Sequence, residues 1–435
     1  MFIPVGGKTV PAGRLLLTLF LTVALTAGFG ARAPAQARPG TVAVFLDGLP
    51  VDFDVQPVIR NNRTLVPFRA VAEALKVKVA WDGATRTVSA TDGKNSIRLQ
   101  IGNRIAYRNG TPIVLEAPAT ILAGRTLVPL RFFGEAFGCK VAWDGAACRA
   151  LITSPRRQMT VVGFYALGDG KTSSWTNLFG RPYPETATGN TDAVDVLALG
   201  WYSLDAEGNL LTGSRTGWQR PDGWEKVLEA AEAYGLKTEM VVHVTDEDGT
   251  ITSLLNDEAA MNRAVRAIVH EADLYHGVNL DFEGLGWQDR GEQLAAVRNR
   301  FTGFVRILSE QLKAAGRTLT LTLHAPNSVY RGYDYKALGA LADRIIVMAY
   351  DYGSTPEPVD MVLQAVEMAR ADVPAARLVL GISVPRETPE SILVKVGIAK
   401  RYGLDGIALW RLGLLTDEMW AALRAAVAPR KAGAF

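Results

Sequence analysis

The sequence predicts an α/β protein in which a (β/α)₈ barrel, or TIM barrel, follows a small duplicated α+β domain. Two observations support this prediction. Eight apolar strand-like runs alternate with longer helical patterns over residues 159–428, and about 270 residues is a usual size for such a barrel. Ahead of them, one sequence pattern occurs twice with an offset of 62 residues. A doubly wound open sheet is the alternative, but no Gly-rich phosphate turn follows the first run.

The predicted barrel strands are short apolar runs, at Met159–Ala166, Val194–Trp201, Lys237–Val244, Gly277–Glu283, Leu319–His324, Arg344–Tyr350, Arg377–Ser383 and Gly406–Arg411. Helical patterns lie between most of them, at Trp224–Tyr234, Glu258–Asp273, Leu294–Ala315, Val359–Ala371 and Pro389–Tyr402. Active sites of these barrels lie where the strands end, at the C-terminal face. Residues at those ends are therefore the candidate site residues.

The first 37 residues have the layout of a secretory signal peptide. Lys8 and Arg14 precede an apolar run over residues 15–29, and Ala35-Gln36-Ala37 offers a small-residue cleavage site. We expect residues 1–37 to be removed and the protein to be secreted or associated with the cell wall or spore. Retention as an uncleaved anchor is the alternative. No later stretch approaches the ~20 apolar residues that a spanning helix needs.

The charge balance argues against a nucleic-acid partner. The full chain has 47 Lys and Arg residues and 44 Asp and Glu residues. The leader contains Lys8, Arg14 and Arg32 and no acidic residue, so its removal leaves 44 of each sign. A chain without a basic excess has little long-range attraction for nucleic acid or other polyanions.

The two cysteines, Cys139 and Cys148, flank a turn signal at Trp143-Asp144-Gly145. In an exported protein they could form a disulfide across the predicted hairpin. Free thiols are the alternative. Two cysteines without a nearby histidine do not form a zinc site, so no metal is expected there.

The repeat lies in residues 41–153. Arg-Thr-Leu-Val-Pro begins at Arg63 and again at Arg125, and Val-x-Trp-Asp-Gly begins at Val79 and again at Val141. Each unit is predicted to contain short strands, an amphipathic helix and a hairpin with an Asp-Gly turn. The two units resemble the copper amine oxidase N-terminal-like domain, which we call the stalk domain. The resemblance implies a spacer or wall-associating role; no histidine or thiolate cluster indicates copper. A polar linker is predicted at 154–158.

The segment His276–Glu283 carries the strongest chemical signal. On a β-strand Asn279, Asp281 and Glu283 share one face, while the apolar residues between them share the other. Two adjacent carboxyl groups cannot both ionise cheaply, so one pKa is raised, as a general acid requires. A strand that ends in solvated carboxylates is the alternative interpretation.

Three motifs in the predicted barrel resemble those of glycoside hydrolase family 18. They are His276–Glu283 on the fourth strand, Met348-Ala349-Tyr350-Asp351 on the sixth, and Trp410 at the end of the eighth. The resemblance covers about residues 159–428 and leaves a tail at 429–435. It implies a retaining, substrate-assisted hydrolase of polymers that contain N-acetylglucosamine (GlcNAc), and no cofactor.

The resemblance also implies the role of each residue. Glu283 protonates the glycosidic oxygen and later serves as the base for water. Asp281 orients the substrate's acetamido group and stabilises the positive charge that forms on it. Tyr350 donates a hydrogen bond to the acetamido oxygen. Trp410 forms the floor of the sugar site, and Asp351 binds nearby.

Some residues depart from the family pattern. His276 and Asn279 replace two aspartates of the fourth-strand motif, and we expect Asn279 to bind near the substrate through a hydrogen bond to Asp281. Val241-Val242-His243-Val244 replaces the usual third-strand motif. The Gly-Val-Asn-x-Asp-Phe-Glu form resembles spore-cortex and cell-wall N-acetylglucosaminidases. The remaining candidates for a sugar cleft lie near other strand ends: Tyr165, Trp201, Tyr202 and His324.

Two other classes of function remain open. The barrel could be a non-catalytic carbohydrate-binding surface protein. The replacement of two aspartates of the fourth-strand motif leaves this alternative open. The chain could also be a structural stalk protein with a passenger barrel. Retention of Glu283, Asp281 and Tyr350 together favours the enzyme. The sequence does not distinguish chitin from peptidoglycan, endo from exo cleavage, or one oligomeric state from another.

Overall fold

The computed structural model describes residues 42–166, 172–214 and 216–430. The predicted signal peptide, residues 1–37, lies outside this part of the chain. Among the described residues, none of the helices is both long enough and apolar enough to cross a bilayer.

The stalk domain consists of two units of equal layout, and the second follows the first at the offset of the sequence repeat. The first unit contains β1 Ala43–Leu46, β2 Leu49–Pro50, β3 Val58–Arg60, β4 Arg63–Pro67, α1 Phe68–Leu75, β5 Lys78–Asp82 and β6 Thr87–Thr91. Strand β7 Ser96–Gln100 connects it to β8 Ile105–Arg108, β9 Thr111–Val114, β10 Thr120–Leu122, β11 Arg125–Pro129, α2 Leu130–Ala136, β12 Lys140–Asp144 and β13 Arg149–Thr153.

The two units are interleaved and share one core. Strands β4 and β11, which carry the Arg-Thr-Leu-Val-Pro repeat, pair antiparallel with Val66 opposite Val128. Strand β1 of the first unit pairs in parallel with β13 of the second. Side chains from α1 and α2, including Val71 and Phe133, fill the space between the sheets. Neither unit could bury its apolar face alone, so the duplication supplies the core.

The disulfide prediction for Cys139 and Cys148 is wrong, since both thiols are free. Cys139 is buried at the open end of the β12–β13 hairpin, where Lys140 lies opposite Thr153. Cys148 is exposed in the turn at the other end. Five strand residues separate the two ends, about 16 Å at the usual rise per residue. A disulfide requires Cα atoms within about 7 Å.

The second domain is the predicted (β/α)₈ barrel, and its eight strands fall on the eight predicted runs. They are β14 Arg157–Tyr165, β15 Val196–Leu204, β17 Lys237–Thr245, β18 Gly277–Glu283, β19 Thr318–His324, β20 Arg344–Met348, β21 Leu378–Ser383 and β22 Gly406–Trp410, with short β16 Leu210–Leu211 and β23 Val427–Pro429 added. The helices are α3 Ser174–Phe179, α4 Glu225–Ala233, α5 Thr250–Asn256, α6 Glu258–Glu271, α7 Gly291–Ala314, α8 Tyr335–Leu341, α9 Val359–Asp372, α10 Pro389–Tyr402 and α11 Asp417–Ala426.

Parallel pairing runs continuously around the barrel. Each strand pairs with the next, and β14 pairs with both β15 and β22, which closes the sheet. Alternate residues point inward to a small interior cluster that includes Val162, Val241 and Ala408. The other residues pack outward against the helices in the main core. The predicted fold class is confirmed.

The stalk domain is packed against the flank of the barrel at α10. Gly397 lies so close to the β1–β2 turn that an added Cβ would overlap the backbone of Asp47. Lys400 is buried in the same contact, and its ammonium donates to Ser154 Oγ at 3.1 Å and to the Pro155 carbonyl at 3.1 Å. Residues of the predicted linker are therefore part of a packed interface.

Gly397→Ala is expected to destabilise the protein by about 1–3 kcal/mol, the usual cost of overpacking a close contact. Gly303→Ala is the matched control, because Gly303 is also helical and an added Cβ there meets open space. The control should gain up to ~1 kcal/mol from helix propensity. Urea denaturation measures both variants, and equal effects would contradict the interface described above.

Candidate active site

Strand β18 delivers two carboxyl groups to the C-terminal mouth of the barrel. Val278, Leu280 and Phe282 are fully buried on its outer face, where they join the core against the helices. The inward face carries Asn279, Asp281 and Glu283, in order of approach to the mouth. The alternation expected from the sequence therefore places the two carboxyl groups as predicted.

Glu283 lies between two histidines. Its Oε1 is 3.1 Å from Nε2 of His243 on β17, and its Oε2 is 3.6 Å from Nε2 of His324 on β19. The side chain remains 28% exposed at the mouth. Burial acts to raise the pKa of Glu283, but the His243 hydrogen bond and the charges of His243 and His324 outweigh it and lower the pKa. The lowered pKa favours the carboxylate form of Glu283.

Asp281 has the opposite environment. It is only 1% exposed, and its Oδ1 has no hydrogen-bond partner among the described residues. Burial and the negative charge of Glu283 raise its pKa well above the ordinary value. Asp281 thus keeps its proton at a pH where an ordinary aspartate has lost it. The pKa values of the two carboxyl groups therefore shift in opposite directions, as expected for close neighbours. The raised pKa belongs to Asp281 and not to Glu283.

Tyr350 follows β20 and faces the same carboxyl pair. Burial, together with the charges of Glu283 and Asp281, raises the pKa of its hydroxyl well above the ordinary value, so it remains a hydrogen-bond donor. Asp351 points elsewhere. Its carboxylate is 68% exposed and 3.3 Å from Nε of Arg386, while its backbone N–H donates to the buried Glu357 at 2.9 Å.

Trp410 ends β22 and forms part of an aromatic surface. Its ring contacts Phe164 edge-on at 5.1 Å and stacks on Trp218 at 5.0 Å. Trp218 belongs to the loop after β16, and its ring lies over Gly200, where any side chain would overlap it. Sequence reasoning missed Trp218, because an aromatic residue in a loop carries no periodic signal.

His243 is the other residue that sequence reasoning did not assign to the site. It was visible only as a departure from the third-strand motif, yet it makes the one hydrogen bond to the Glu283 carboxylate among the described residues. His324, a candidate from the sequence, is in the site and stacks on Tyr330 at 4.0 Å. His243, Asp281 and Glu283 also present ligand atoms within 4.8 Å of one another, a set that could hold a cation.

The structure places three sequence candidates away from the mouth. Tyr165 and Trp201 are fully buried in the outer core, in edge-on contact with each other at 6.3 Å. Tyr202 is buried beside them and shares a 2.7 Å hydrogen bond with Tyr275. They stand on the strand faces that point toward the helices, so they cannot line a sugar cleft.

Asn279 lies below the site and does not contact Asp281 by a hydrogen bond. Its amide donates to Glu239 at 3.2 Å, and its carbonyl accepts from Thr322 Oγ1 at 2.7 Å. It is fully buried in the barrel interior. The sequence predicted a hydrogen bond from Asn279 to Asp281. Instead, Asn279 is hydrogen-bonded within a polar network below the carboxyl pair.

The protein is a (β/α)₈ barrel whose mouth holds two carboxyl groups with pKa values shifted in opposite directions. Such an arrangement is suited to acid–base chemistry. Residues 216–386 match the model of Glycosyl hydrolases family 18, and residues 45–152 match that of the Copper amine oxidase N-terminal domain. The chain therefore carries a glycoside hydrolase family 18 domain behind a copper amine oxidase N-terminal-like domain. Both resemblances drawn from the motifs are confirmed.

Two of the similar proteins come from Bacillus subtilis. A Bacillus subtilis protein named as a sporulation-specific glycosylase, YdhD, is 32% identical over 177 residues, 38% of this chain and 38% of that protein. The cortical fragment-lytic enzyme of Bacillus subtilis is 28% identical over 151 residues, 32% of this chain and 33% of the enzyme. The chain thus spans well under two thirds of these relatives.

Among solved structures, the Bacillus cereus spore cortex-lytic enzyme SleL superposes with a TM-score of 0.52 and 17% identity, over 65% of this chain and 77% of that one. At this identity the likeness concerns the fold.

Proposed function

We propose that the chain is an exported retaining glycosidase that hydrolyses β-1,4 bonds after GlcNAc in peptidoglycan of the cell wall or spore cortex. One observation carries the proposal: Glu283 stands at the barrel mouth directly above a buried Asp281, and Tyr350 faces both. The names of the two Bacillus subtilis relatives support a sporulation or cortex substrate over chitin.

The reaction begins when Glu283 donates a proton to the glycosidic oxygen. The carbonyl oxygen of the substrate's 2-acetamido group attacks C1 as the bond to the leaving sugar breaks, which forms an oxazolinium ion. As the substrate binds, the proton of Asp281 passes to Glu283, and it returns to Asp281 after Glu283 has deprotonated water. The Asp281 anion meanwhile stabilises the positive charge, while Tyr350 donates to the acetamido oxygen. Such assistance by the substrate replaces the carboxylate nucleophile of most retaining glycosidases.

Water then completes the cycle. Glu283, now ionised, removes a proton from water, and the hydroxide adds to C1 from the face that the leaving sugar vacated. Two inversions at C1 give net retention. Trp410 and Trp218 provide an aromatic surface on which a sugar ring can stack.

The test compares substrates that differ in the acetamido group. Purified protein is incubated with isolated cortex peptidoglycan, chitin oligomers and fully de-N-acetylated oligomers, and products are read by mass and by NMR of the anomeric proton. We expect GlcNAc at the new reducing end, the β anomer first, and no cleavage of de-N-acetylated oligomers. Cleavage of these oligomers, or the α anomer first, would refute the mechanism. Binding of peptidoglycan without cleavage would favour a carbohydrate-binding protein.

A further inference from the structure

A cavity of about 190 Å³ lies where the stalk domain meets α10 on the flank of the barrel. Apolar side chains of the stalk domain, including Leu46 and Phe137, form part of its wall. At the usual share of about 30 Å³ for one water molecule, it has room for roughly six waters. None of the residues assigned to the candidate active site lines it. This junction cavity is therefore a separate feature of the contact between the two domains.

The lining of the junction cavity has an excess of positive charge. One cation comes from the stalk domain and three come from the barrel: Lys76, Arg157, Lys400 and Arg401. Two carboxylates, those of Asp47 and Asp92, complete the charged lining. Four cations and two carboxylates leave two positive charges unbalanced.

The cations of the lining bond to neutral groups. Arg157 donates to the Lys400 carbonyl at 3.0 Å, and Arg401 donates to the Leu49 carbonyl at 3.1 Å. The ammonium of Lys400 is bonded to a hydroxyl and a carbonyl of the linker. In the part of the chain that the structure describes, no carboxylate forms a contact ion pair with any of the four cations.

The two carboxylates of the lining accept hydrogen bonds from other donors. The carboxylate of Asp47 accepts from the N–H of Ser154 at 2.8 Å and from its hydroxyl at 2.6 Å. That of Asp92 accepts from the N–H groups of Lys94 and Asn95 in its own turn. Both carboxylates therefore act on the cations only at longer range.

The C-terminus of α10 does not balance the excess either. The ammonium of Lys76 lies against Gly403, the C-cap of this helix, where an added Cβ would overlap it. A helix C-terminus carries about half an elementary negative charge, so it offsets about a quarter of the excess. Loss of hydration and repulsion by Arg157 and Arg370 lower the pKa of Lys76. The cations therefore repel one another across the junction cavity.

We propose that the junction cavity binds a dianionic phosphate group, which bridges the stalk domain and the barrel. A dianion matches the excess of two positive charges. Arginine offers paired N–H donors and lysine a compact point charge, and both are common ligands of phosphate. Inorganic phosphate and a phosphate monoester share this chemistry, and the experiment separates these two sources.

Calorimetric titration at pH 7.5 and constant ionic strength tests the proposal on the purified protein. Inorganic phosphate should bind with a stoichiometry of one, and acetate, a monoanion, should bind at least about tenfold more weakly. Glycerol 3-phosphate is the monoester probe. Equal affinity for both phosphates identifies a pendant phosphate group as the ligand, and weaker binding of the ester identifies free phosphate. An absence of phosphate binding, or acetate binding as tight as that of phosphate, would overturn the proposal.

Variants of Lys76 locate the bound phosphate. Lys76 is exposed at the edge of the junction cavity, so its substitution leaves the core intact. Lys76→Gln should weaken phosphate binding at least about tenfold, the effect of losing one hydrogen bond to a charged group. Lys76→Arg should retain binding. The matched control is Lys313→Gln at the exposed end of α7, outside the cavity, which should bind as wild type does.

Thermal unfolding provides a second readout. A ligand that binds the folded state raises the unfolding midpoint. Phosphate at a hundredfold excess over its Kd should raise the midpoint of wild type by at least about 2 °C, relative to chloride at the same ionic strength. The same concentration should have a smaller effect on Lys76→Gln. Equal shifts in the two proteins, or an equal loss of binding in Lys313→Gln, would show general charge screening and overturn the proposal. Neither measurement requires turnover, so both remain valid for a protein that cleaves no polymer.

Discussion

Glu283→Gln is expected to lower kcat on GlcNAc oligomers and peptidoglycan at least ~100-fold, the lower end of the loss for a general acid and base. The amide keeps the shape of the side chain and can still contact His243. It cannot protonate the leaving sugar, and it cannot deprotonate the incoming water. KM should change little, because the substrate's own contacts with the aromatic surface remain. Steady-state kinetics with mass-resolved products measure the change.

The control for this variant is Glu310→Gln on α7, where the carboxylate is exposed and distant from the mouth. It should retain wild-type kcat. If Glu283→Gln keeps more than a tenth of wild-type activity while the control is unaffected, the acid must be another group. The assignment of the general acid would then be wrong even though the fold is correct.

Asp281→Asn should separate activity from stability. We expect a loss of roughly 100-fold in kcat, comparable to removing one preorganised group that stabilises developing charge. Asparagine cannot become the anion that faces the oxazolinium ion. At pH 7.5, however, the same variant should be more stable than wild type by about 1 kcal/mol, because functional sites commonly sacrifice stability for activity.

The sign of the stability change follows from the proton that Asp281 holds. Its pKa is raised in the folded protein and ordinary in the unfolded chain, so the folded state binds more protons above about pH 4. Wild type therefore loses stability as pH rises from there toward the folded pKa, and Asp281→Asn does not.

Thermal unfolding at pH 4 and at pH 7.5 checks this expectation. The two proteins should have similar midpoints at the lower pH and diverge at the higher one. Asp351→Asn serves as the control, since that carboxylate is 68% exposed and its removal should give no such divergence. An equal midpoint for Asp281→Asn and wild type at pH 7.5 would indicate that Asp281 is solvated or paired.

The sequence was sufficient for the architecture and for the position of the carboxyl pair. The barrel strands are apolar runs of regular spacing, and the alternation on β18 follows from strand geometry alone. The duplication was readable because both copies keep their Arg-Thr-Leu-Val-Pro and Val-x-Trp-Asp segments. These are local or repeated signals, which a single chain displays without a structure.

The sequence could not show which of the two carboxyl groups has the raised pKa and which has the lowered one. Spacing shows that Asp281 and Glu283 are neighbours, but the sign of each shift depends on depth and on residues of other strands. His243 and His324 belong to β17 and β19, and the pairing of both strands with β18 brings them to Glu283. The sequence therefore pointed to a raised pKa in the pair without indicating which carboxyl group has it.

The errors at Tyr165 and Trp201 have a related cause. Parallel strands in this barrel are buried on both faces, so nearly every strand residue is apolar. Polarity then does not show which residues point into the barrel and which point toward the helices. A register irregularity between Leu199 and Tyr202 further disturbs β15 near its end. Which aromatic side chains lie near the mouth then depends on packing, and the structure places Trp410 and Trp218 there, stacked on each other.

The stalk domain and the linker contact α10 near Gly397 and Lys400, in the C-terminal half of that helix. Helices of a (β/α)₈ barrel run opposite to its strands, so this half lies toward the floor of the barrel, away from the opening. A glycan that approaches the opening therefore meets the loops of the barrel and not this contact with the stalk domain.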